Sequence, residues 1–169
     1  MHRREAREFL LSVLYQREFL QAPLDELLEE VDPGDQRGYI ERVLSGIGEH
    51  GAQIDDLIAE RTVGWRFERL ALIDRNILRL GTFELLYLPD VPPEAAIDEA
   101  VELCKKYGTE NARVFVNGIL DRIWKENVSR EGTGREADRP PAAGGAGPES
   151  GCPEGKEDLP EACRDSGER

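Results

Sequence analysis

The sequence is poor in the residues that build metal centres and redox sites. It has only two histidines, His2 and His50, and three cysteines, none in a CxxC pair or beside a histidine. This scarcity argues against a zinc site and against a disulfide framework. No glycine-rich phosphate loop follows a strand, and no paired acidic residues lie in a predicted pocket. We therefore expect no metal, no cofactor, no catalytic residue and no enzymatic activity.

Long apolar runs and excess positive charge are also missing. No stretch approaches the roughly 18 to 20 apolar residues of a membrane-spanning helix, and the first residues, MHRREAREF, lack the apolar core of a signal peptide. We expect a cytoplasmic protein without membrane contact. The 35 acidic and 22 basic residues give a net charge of -13. Such a balance argues against a broad nucleic-acid-coating surface, so any RNA contact must be local.

Apolar residues recur at helical spacing over residues 1–128, and no run alternates at the period of two that strands require. The spacing predicts an all-α domain of about seven helices. Their approximate ranges are 4–21, 23–31, 36–50, 53–60, 69–88, 96–107 and 110–128. Glycines at 46, 48 and 51 separate the third helix from the fourth. The fifth helix is the most apolar and is expected to be central.

The composition changes sharply after Val128. Gly, Pro, Glu and Ser dominate the remainder, and Leu159 is its only large aliphatic residue. Such a segment buries too little apolar surface to offset its chain entropy. The sequence therefore predicts a helical domain over residues 1–128 and a disordered acidic tail over residues 129–169. Cys104, on the predicted buried face of the sixth helix, is expected to act as a small apolar side chain.

One dense basic cluster stands out in this acidic chain. Arg3, Arg4 and Arg7 lie near the amino terminus, with only Glu5 opposing them. Arginine binds phosphate oxygens in a bidentate manner and stacks on bases. A mobile arginine-rich arm leading into the first helix is therefore a candidate RNA-binding element. Tyr15, farther along this helix, could either stack on a base or belong to the core.

A second candidate lies at the start of the last helix, where residues 111–118 read NARVFVNG. Phe115 and Val116 are adjacent and point about 100° apart, so both cannot face the same core. An exposed Phe115 beside Asn111 and Arg113 would form a platform for single-stranded bases. Packing of Phe115 at a helix junction is the other interpretation.

Four segments of the chain, in order, resemble the NusB family of bacterial transcription-antitermination factors over about residues 3–125. These segments are RREAREFLLSVLY at 3–15, DRNILRLGTFEL at 74–85, VPPEAAIDEAVELCKKYG at 91–108 and FVNGILD at 115–121. The resemblance implies two perpendicular helical bundles and no catalysis. It also implies binding to single-stranded boxA RNA of nascent ribosomal transcripts together with NusE, a small-subunit ribosomal protein. Other Nus factors and RNA polymerase would be contacted indirectly.

The resemblance also implies residue roles. The RNA surface would comprise Arg3, Arg4, Arg7, Tyr15, Asn111 and Phe115, with Arg113 as a nearby candidate. The NusE surface would lie on the fifth helix, with contributions from Asp74, Arg75 and Arg79. A homodimer is possible, because the family includes both monomers and dimers.

The chain departs from the family pattern at three positions. Asp98 stands where Asn is common, Val114 where Lys is common, and Glu5 where another basic residue is common. Fewer positive charges near the RNA surface should weaken binding by the chain alone. NusE could compensate, because two linked contacts raise the effective concentration.

Two other functions are consistent with parts of the sequence. A ribosomal-RNA cytosine methyltransferase carries an RNA-binding domain that resembles NusB, but the predicted tail has no room for its cofactor domain. A helical adaptor that binds only protein would use the arginines merely for solubility. RNA titration with and without NusE separates this adaptor from the antitermination factor.

Overall fold

The computed structural model describes residues 1–20, 26, 31–64 and 66–134, with side chains as far as 127. Within these ranges the chain is all-helical, which confirms the predicted class, and no described residue lies in a strand. The helices are α1 Arg3–Arg17, α2 Arg37–Ala59, α3 Leu72–Tyr87, α4 Pro93–Tyr107 and α5 Ala112–Gly134. Short 3-10 turns cover Gly34–Gln36 and Phe67–Arg69. None of the described helices is long and apolar enough to cross a membrane.

The predicted break between the third and fourth helices is wrong. A single helix, α2, continues through Gly46, Gly48 and Gly51. Glycine lowers helix propensity, but packing of an apolar face supplies most helical stability in proteins. Buried Val43 and Leu44 before the glycines and buried Ile54 and Ile58 after them hold the helix against the core.

Other boundaries differ by a few residues. The predicted helix near 23–31 falls outside the described residues, apart from Glu26 and Val31. The helix α5 continues to Gly134, beyond the predicted end at Val128. From residue 135 onward the predicted tail also lies outside the described part of the chain. The described residues form five α-helices, and the merger of the third and fourth predicted helices removes one from the predicted seven. The arrangement in two perpendicular bundles stays a prediction.

The helix α3 is central, as predicted, and packs against α1, α2, α4 and α5. Ten of its sixteen residues are buried, and they include Asp74, Asn76, Thr82 and Glu84. Asp74 and Glu84 have partners on neighbouring elements, Thr109 for Asp74 and Arg7 and Tyr39 for Glu84. Through these two carboxylates the central helix is connected to the elements around it, whereas Asn76 Nδ2 and Thr82 Oγ1 have no partner among the described residues.

The predicted apolar faces are largely confirmed. Leu10 and Val13 of α1 are buried, but Leu20 lies beyond the end of the helix and is 66% exposed. Cys104 is buried. This burial is the larger cause, and the negative charge of Asp74 the smaller one, of the rise in the pKa of its thiol to about 12. The thiol therefore stays protonated and acts as the small apolar side chain that the sequence predicts.

Candidate nucleic-acid interface

The arginine cluster belongs to the first turns of α1 and not to a mobile arm, which corrects the prediction for Arg3 and Arg4. The backbone N–H of His2 donates a hydrogen bond to a carboxylate oxygen of Glu5 at 2.6 Å. This contact satisfies one of the free donors at the helix start. Glu5, a departure from the family pattern, thus helps to fix where the arginine-bearing helix begins.

Arg7 is buried and points into the protein. Its Nε donates to both carboxylate oxygens of Glu84 on α3, at 3.0 and 3.1 Å. The hydroxyl of Tyr39 on α2 donates to the same carboxylate at 2.7 Å. Burial raises the pKa of Glu84, and the charge of Arg7 opposes this rise. Arg7 therefore connects α1 to the central helix, and its side chain is only 7% exposed.

Arg4 is the solvent-facing member of the cluster, with a side chain that is 63% exposed. Its guanidinium donates to Glu99 of α4 at 2.5 and 3.1 Å. This hydrogen bond lowers the pKa of Glu99 below its ordinary value, so the carboxylate stays charged. The exposed positive charge of Arg4 is thus partly neutralised by a carboxylate of the same protein.

Arg3 is partly buried. Its guanidinium sits 4.0 Å from the centroid of the Tyr39 ring. One of its nitrogens, Nη1, is buried and has no hydrogen-bond partner among the described residues. Arg3 therefore has donor capacity that the surrounding side chains do not use.

Tyr15 lies on the same side of α1 as Arg4. Eleven residues at about 100° each bring the helix back to within about 20°, at an axial distance of about 16 Å. The Tyr15 ring is 41% exposed and makes an edge-to-face contact with Phe19 at 5.5 Å. Its exposure favours the stacking interpretation over the core interpretation.

The candidate residues at the start of α5 differ from one another in exposure and in direction. Val116 is fully buried and Phe115 is half-buried, so the predicted division between these neighbours is confirmed. Asn111 and Arg113 are exposed. Residues two apart in a helix point about 200° apart, so Arg113 faces away from Phe115. Phe115 lines a groove between α5 and the segment that follows α2.

The candidate partner residues on α3 make mainly internal contacts. Asp74 is buried and accepts hydrogen bonds from the backbone N–H and the hydroxyl of Thr109, at 3.1 and 2.6 Å. Arg79 forms an ion pair with Glu18 and donates to Asp55 at 2.7 Å. The contacts of Asp74 fix the loop before α5, while those of Arg79 tie α3 to α2 and to the residue that follows α1.

Arg75 differs from its two neighbours in the candidate set. Its guanidinium lies 5.1 Å from the centroid of the Phe67 ring, and it is only partly buried. Its guanidinium has no hydrogen bond or ion pair with another described residue, and its Nε is buried without a partner. Of the three α3 candidates, Arg75 has the most unused donor capacity.

The predicted RNA residues form two patches. The first lies on α1, where Arg4 and Tyr15 share one side of the helix and Arg4 contacts Glu99 of α4, while Arg3 lies over Tyr39 of α2. The second is the Phe115 groove. Within the described part of the chain, no hydrogen bond, ion pair or ring contact joins the first set to Phe115 directly. An RNA strand that touches both must cross the surface between them.

Sequence reasoning missed the carboxylates that neutralise this surface. Glu99 binds Arg4, Glu84 binds Arg7, and Glu8 accepts from both Lys106 and Tyr107 at 2.7 to 2.8 Å. These partners are 77 to 99 residues apart in the chain. Helical spacing carries no signal of such distant pairs.

A family comparison decides the assignment. The model of the NusB family matches residues 4–125 of the chain. The chain belongs to the NusB family. The resemblance of its four sequence segments is thereby confirmed.

Curated NusB proteins are similar over most of the chain. The transcription antitermination protein NusB of Pseudothermotoga lettingae is 42% identical over 133 residues, which cover 76% of this chain and 95% of the relative. The NusB protein of Myxococcus xanthus is 43% identical over 131 residues, which cover 72% of this chain and 93% of the relative.

Solved NusB structures share the fold. The structure of Thermotoga maritima NusB matches with a TM-score of 0.70 and 43% identity, covering 79% of this chain and 98% of that one. A crystal structure of the antitermination factors NusB and NusE in complex with double-stranded RNA matches with a TM-score of 0.65 and 32% identity. It covers 73% of this chain and 96% of that one.

Proposed function

We propose that this chain is a transcription antitermination factor that binds boxA RNA of nascent ribosomal transcripts together with NusE. The assembly tethers the transcript to elongating RNA polymerase, and the role is one of binding without catalysis. Membership of the NusB family carries the proposal. A NusB relative that forms a complex with both NusE and RNA supports it.

Arg3, Arg4, Tyr15 and Phe115 are the proposed RNA contacts. Exposed Asn111 extends the surface at the start of α5, whereas Arg113 faces away from Phe115. Arg7 contributes to RNA binding indirectly, because its ion pair with Glu84 holds α1 in place. The protein partner binds beside α3. There Arg75 has free donors, while Asp74 and Arg79 shape the surface through their internal bonds.

Glu99 limits the affinity for RNA in this proposal, because its carboxylate competes with phosphate for Arg4. We expect Glu99→Gln to tighten binding to a boxA RNA by about two- to fivefold. It should also steepen the dependence of log affinity on log salt by up to about 0.7 to 0.9, the increment of one added phosphate contact. Fluorescence anisotropy titrations at two salt concentrations measure both quantities.

Glu41→Gln is the matched control. Glu41 pairs with exposed Arg37 on α2, so this variant also removes one carboxylate and releases one arginine. Its affinity should change less than that of Glu99→Gln. Equal gains in RNA affinity in both variants would mean that only the net charge determines the affinity. No gain in the affinity of Glu99→Gln would show that Arg4 does not contact a phosphate.

A further inference from the structure

Tyr39 of α2 is a buried aromatic residue that contacts the arginine cluster of α1. It is only 4% exposed, and the Cζ atom of Arg3 lies 4.0 Å from the centroid of its ring. The negative face of an aromatic ring attracts a guanidinium. The ring of Tyr39 therefore holds the guanidinium of Arg3 at a defined place beside α1.

The ring of Tyr39 is itself fixed by the buried ion pair between Arg7 and Glu84. The Tyr39 hydroxyl donates to Oε1 of Glu84 at 2.7 Å, the same oxygen that Arg7 binds at 3.0 Å. Burial raises the pKa of this hydroxyl, so it stays protonated and remains a donor. Tyr39 therefore connects Arg3 to the contacts that hold α1 against α3.

Arg3 differs from the other two arginines of the cluster in the group that holds it. Arg4 and Arg7 are each paired with a glutamate, whereas Arg3 forms no ion pair within the described part of the chain. A carboxylate orients a guanidinium but also neutralises it, while an uncharged ring orients it and leaves its charge intact. Arg3 is partly exposed, so a phosphate can reach this charge. A side chain that is already ordered also loses less rotamer freedom on binding.

We propose that Tyr39 is a positioning residue for RNA binding, whose ring holds the guanidinium of Arg3 in place for a phosphate of the RNA. Tyr39 is too deeply buried to touch the RNA, so it acts through Arg3. This inference rests on the proposed function, because it explains how one of the proposed RNA contacts is oriented. It also gives α2 a part in an RNA surface that otherwise lies on α1 and α5.

A double-mutant cycle between Tyr39→Leu and Arg3→Met tests the coupling, with the full chain and a boxA RNA in the presence of NusE. We expect each single variant to weaken RNA binding by about two- to fivefold, the scale of one contact between a cation and a ring. The double variant should bind no more weakly than Arg3→Met, because the ring then has no guanidinium to hold. Tyr39→Phe is the matched control. It keeps the ring and removes the hydroxyl, so it should unfold at lower urea concentration but keep the RNA affinity.

Fluorinated phenylalanines at residue 39 test the ring with little change in its size. Each added fluorine weakens the negative face of the ring and hence its attraction for a guanidinium. The RNA affinity should therefore fall stepwise from phenylalanine to the trifluorinated ring. The same series combined with Arg3→Met should show no trend.

Additive losses in the cycle would overturn the inference, because the effect of Tyr39→Leu would then not depend on Arg3. Equal RNA affinities across the fluorinated series would also overturn it, as would a loss in Tyr39→Phe as large as that in Tyr39→Leu. Failure of the unmodified chain to bind boxA RNA, alone or with NusE, would instead contradict the proposed function.

Discussion

Arg7→Met is expected to lower the free energy of unfolding by about 3 to 5 kcal/mol at neutral pH, because it leaves a buried carboxylate without its counter-charge. Arg7 and Glu84 have side chains that are only 7% and 1% exposed. Methionine keeps much of the volume of arginine, so the loss reports the charge. Urea denaturation followed by circular dichroism measures it.

The loss should depend on pH. Burial already raises the pKa of Glu84 in the folded protein, and removal of Arg7 raises this pKa further. A raised folded-state pKa means that stability is present at low pH and is lost as the pH rises through that value. The difference between Arg7→Met and the unmodified chain should therefore shrink as the solution is acidified.

Two variants separate the charge from other effects of the substitution. Adding Glu84→Gln to Arg7→Met removes the unpaired carboxylate and should recover much of the lost stability. Arg4→Met removes an exposed arginine of the same helix and should change the free energy of unfolding little. If Arg7→Met behaved like Arg4→Met, the buried ion pair would not be holding α1 against α3.

Gly46→Ala is expected to lower the free energy of unfolding by about 1 to 3 kcal/mol, although alanine is the better helix former. A Cβ on residue 46 would lie 2.2 Å from Cε2 and Cζ of the Phe83 ring. This ring stacks on Tyr87 at 5.1 Å, and Tyr87 stacks on His50 at 4.5 Å. The added methyl group must therefore displace a ring within an aromatic stack.

Gly48→Ala, two residues along the same helix, is the matched control. A Cβ on residue 48 meets no atom within 4 Å, so the gain in helix propensity should raise the free energy of unfolding by about 0.5 to 1 kcal/mol. Thermal and urea unfolding of the two variants should give opposite signs. The same sign for both would show that Gly46 has no packing role.

These glycines also show what could be predicted of the fold. Apolar spacing predicts the helices and the central position of α3, because a buried face repeats every three or four residues. It predicts a break at residues 46–51, because glycine is a poor helix former. Whether a glycine ends a helix or makes room for a ring depends on Phe83, which lies elsewhere in the sequence.

The same limit applies to the candidate site. Adjacent Phe115 and Val116 require that only one face the core, and the structure buries Val116. The arginines at positions 3, 4 and 7 look equivalent in sequence, yet Arg7 is buried against Glu84 while Arg4 faces solvent. That division follows from carboxylates on α3 and α4, so it emerges only when the helices are packed.

The most direct test of the account is an anisotropy titration of the full chain with a boxA RNA and a scrambled RNA of the same composition, each with and without NusE. The account predicts tighter binding to the boxA RNA, with a preference that grows when NusE is present. Equal affinity for the two RNAs in the presence of NusE would contradict it and would leave a helical protein that binds only other proteins.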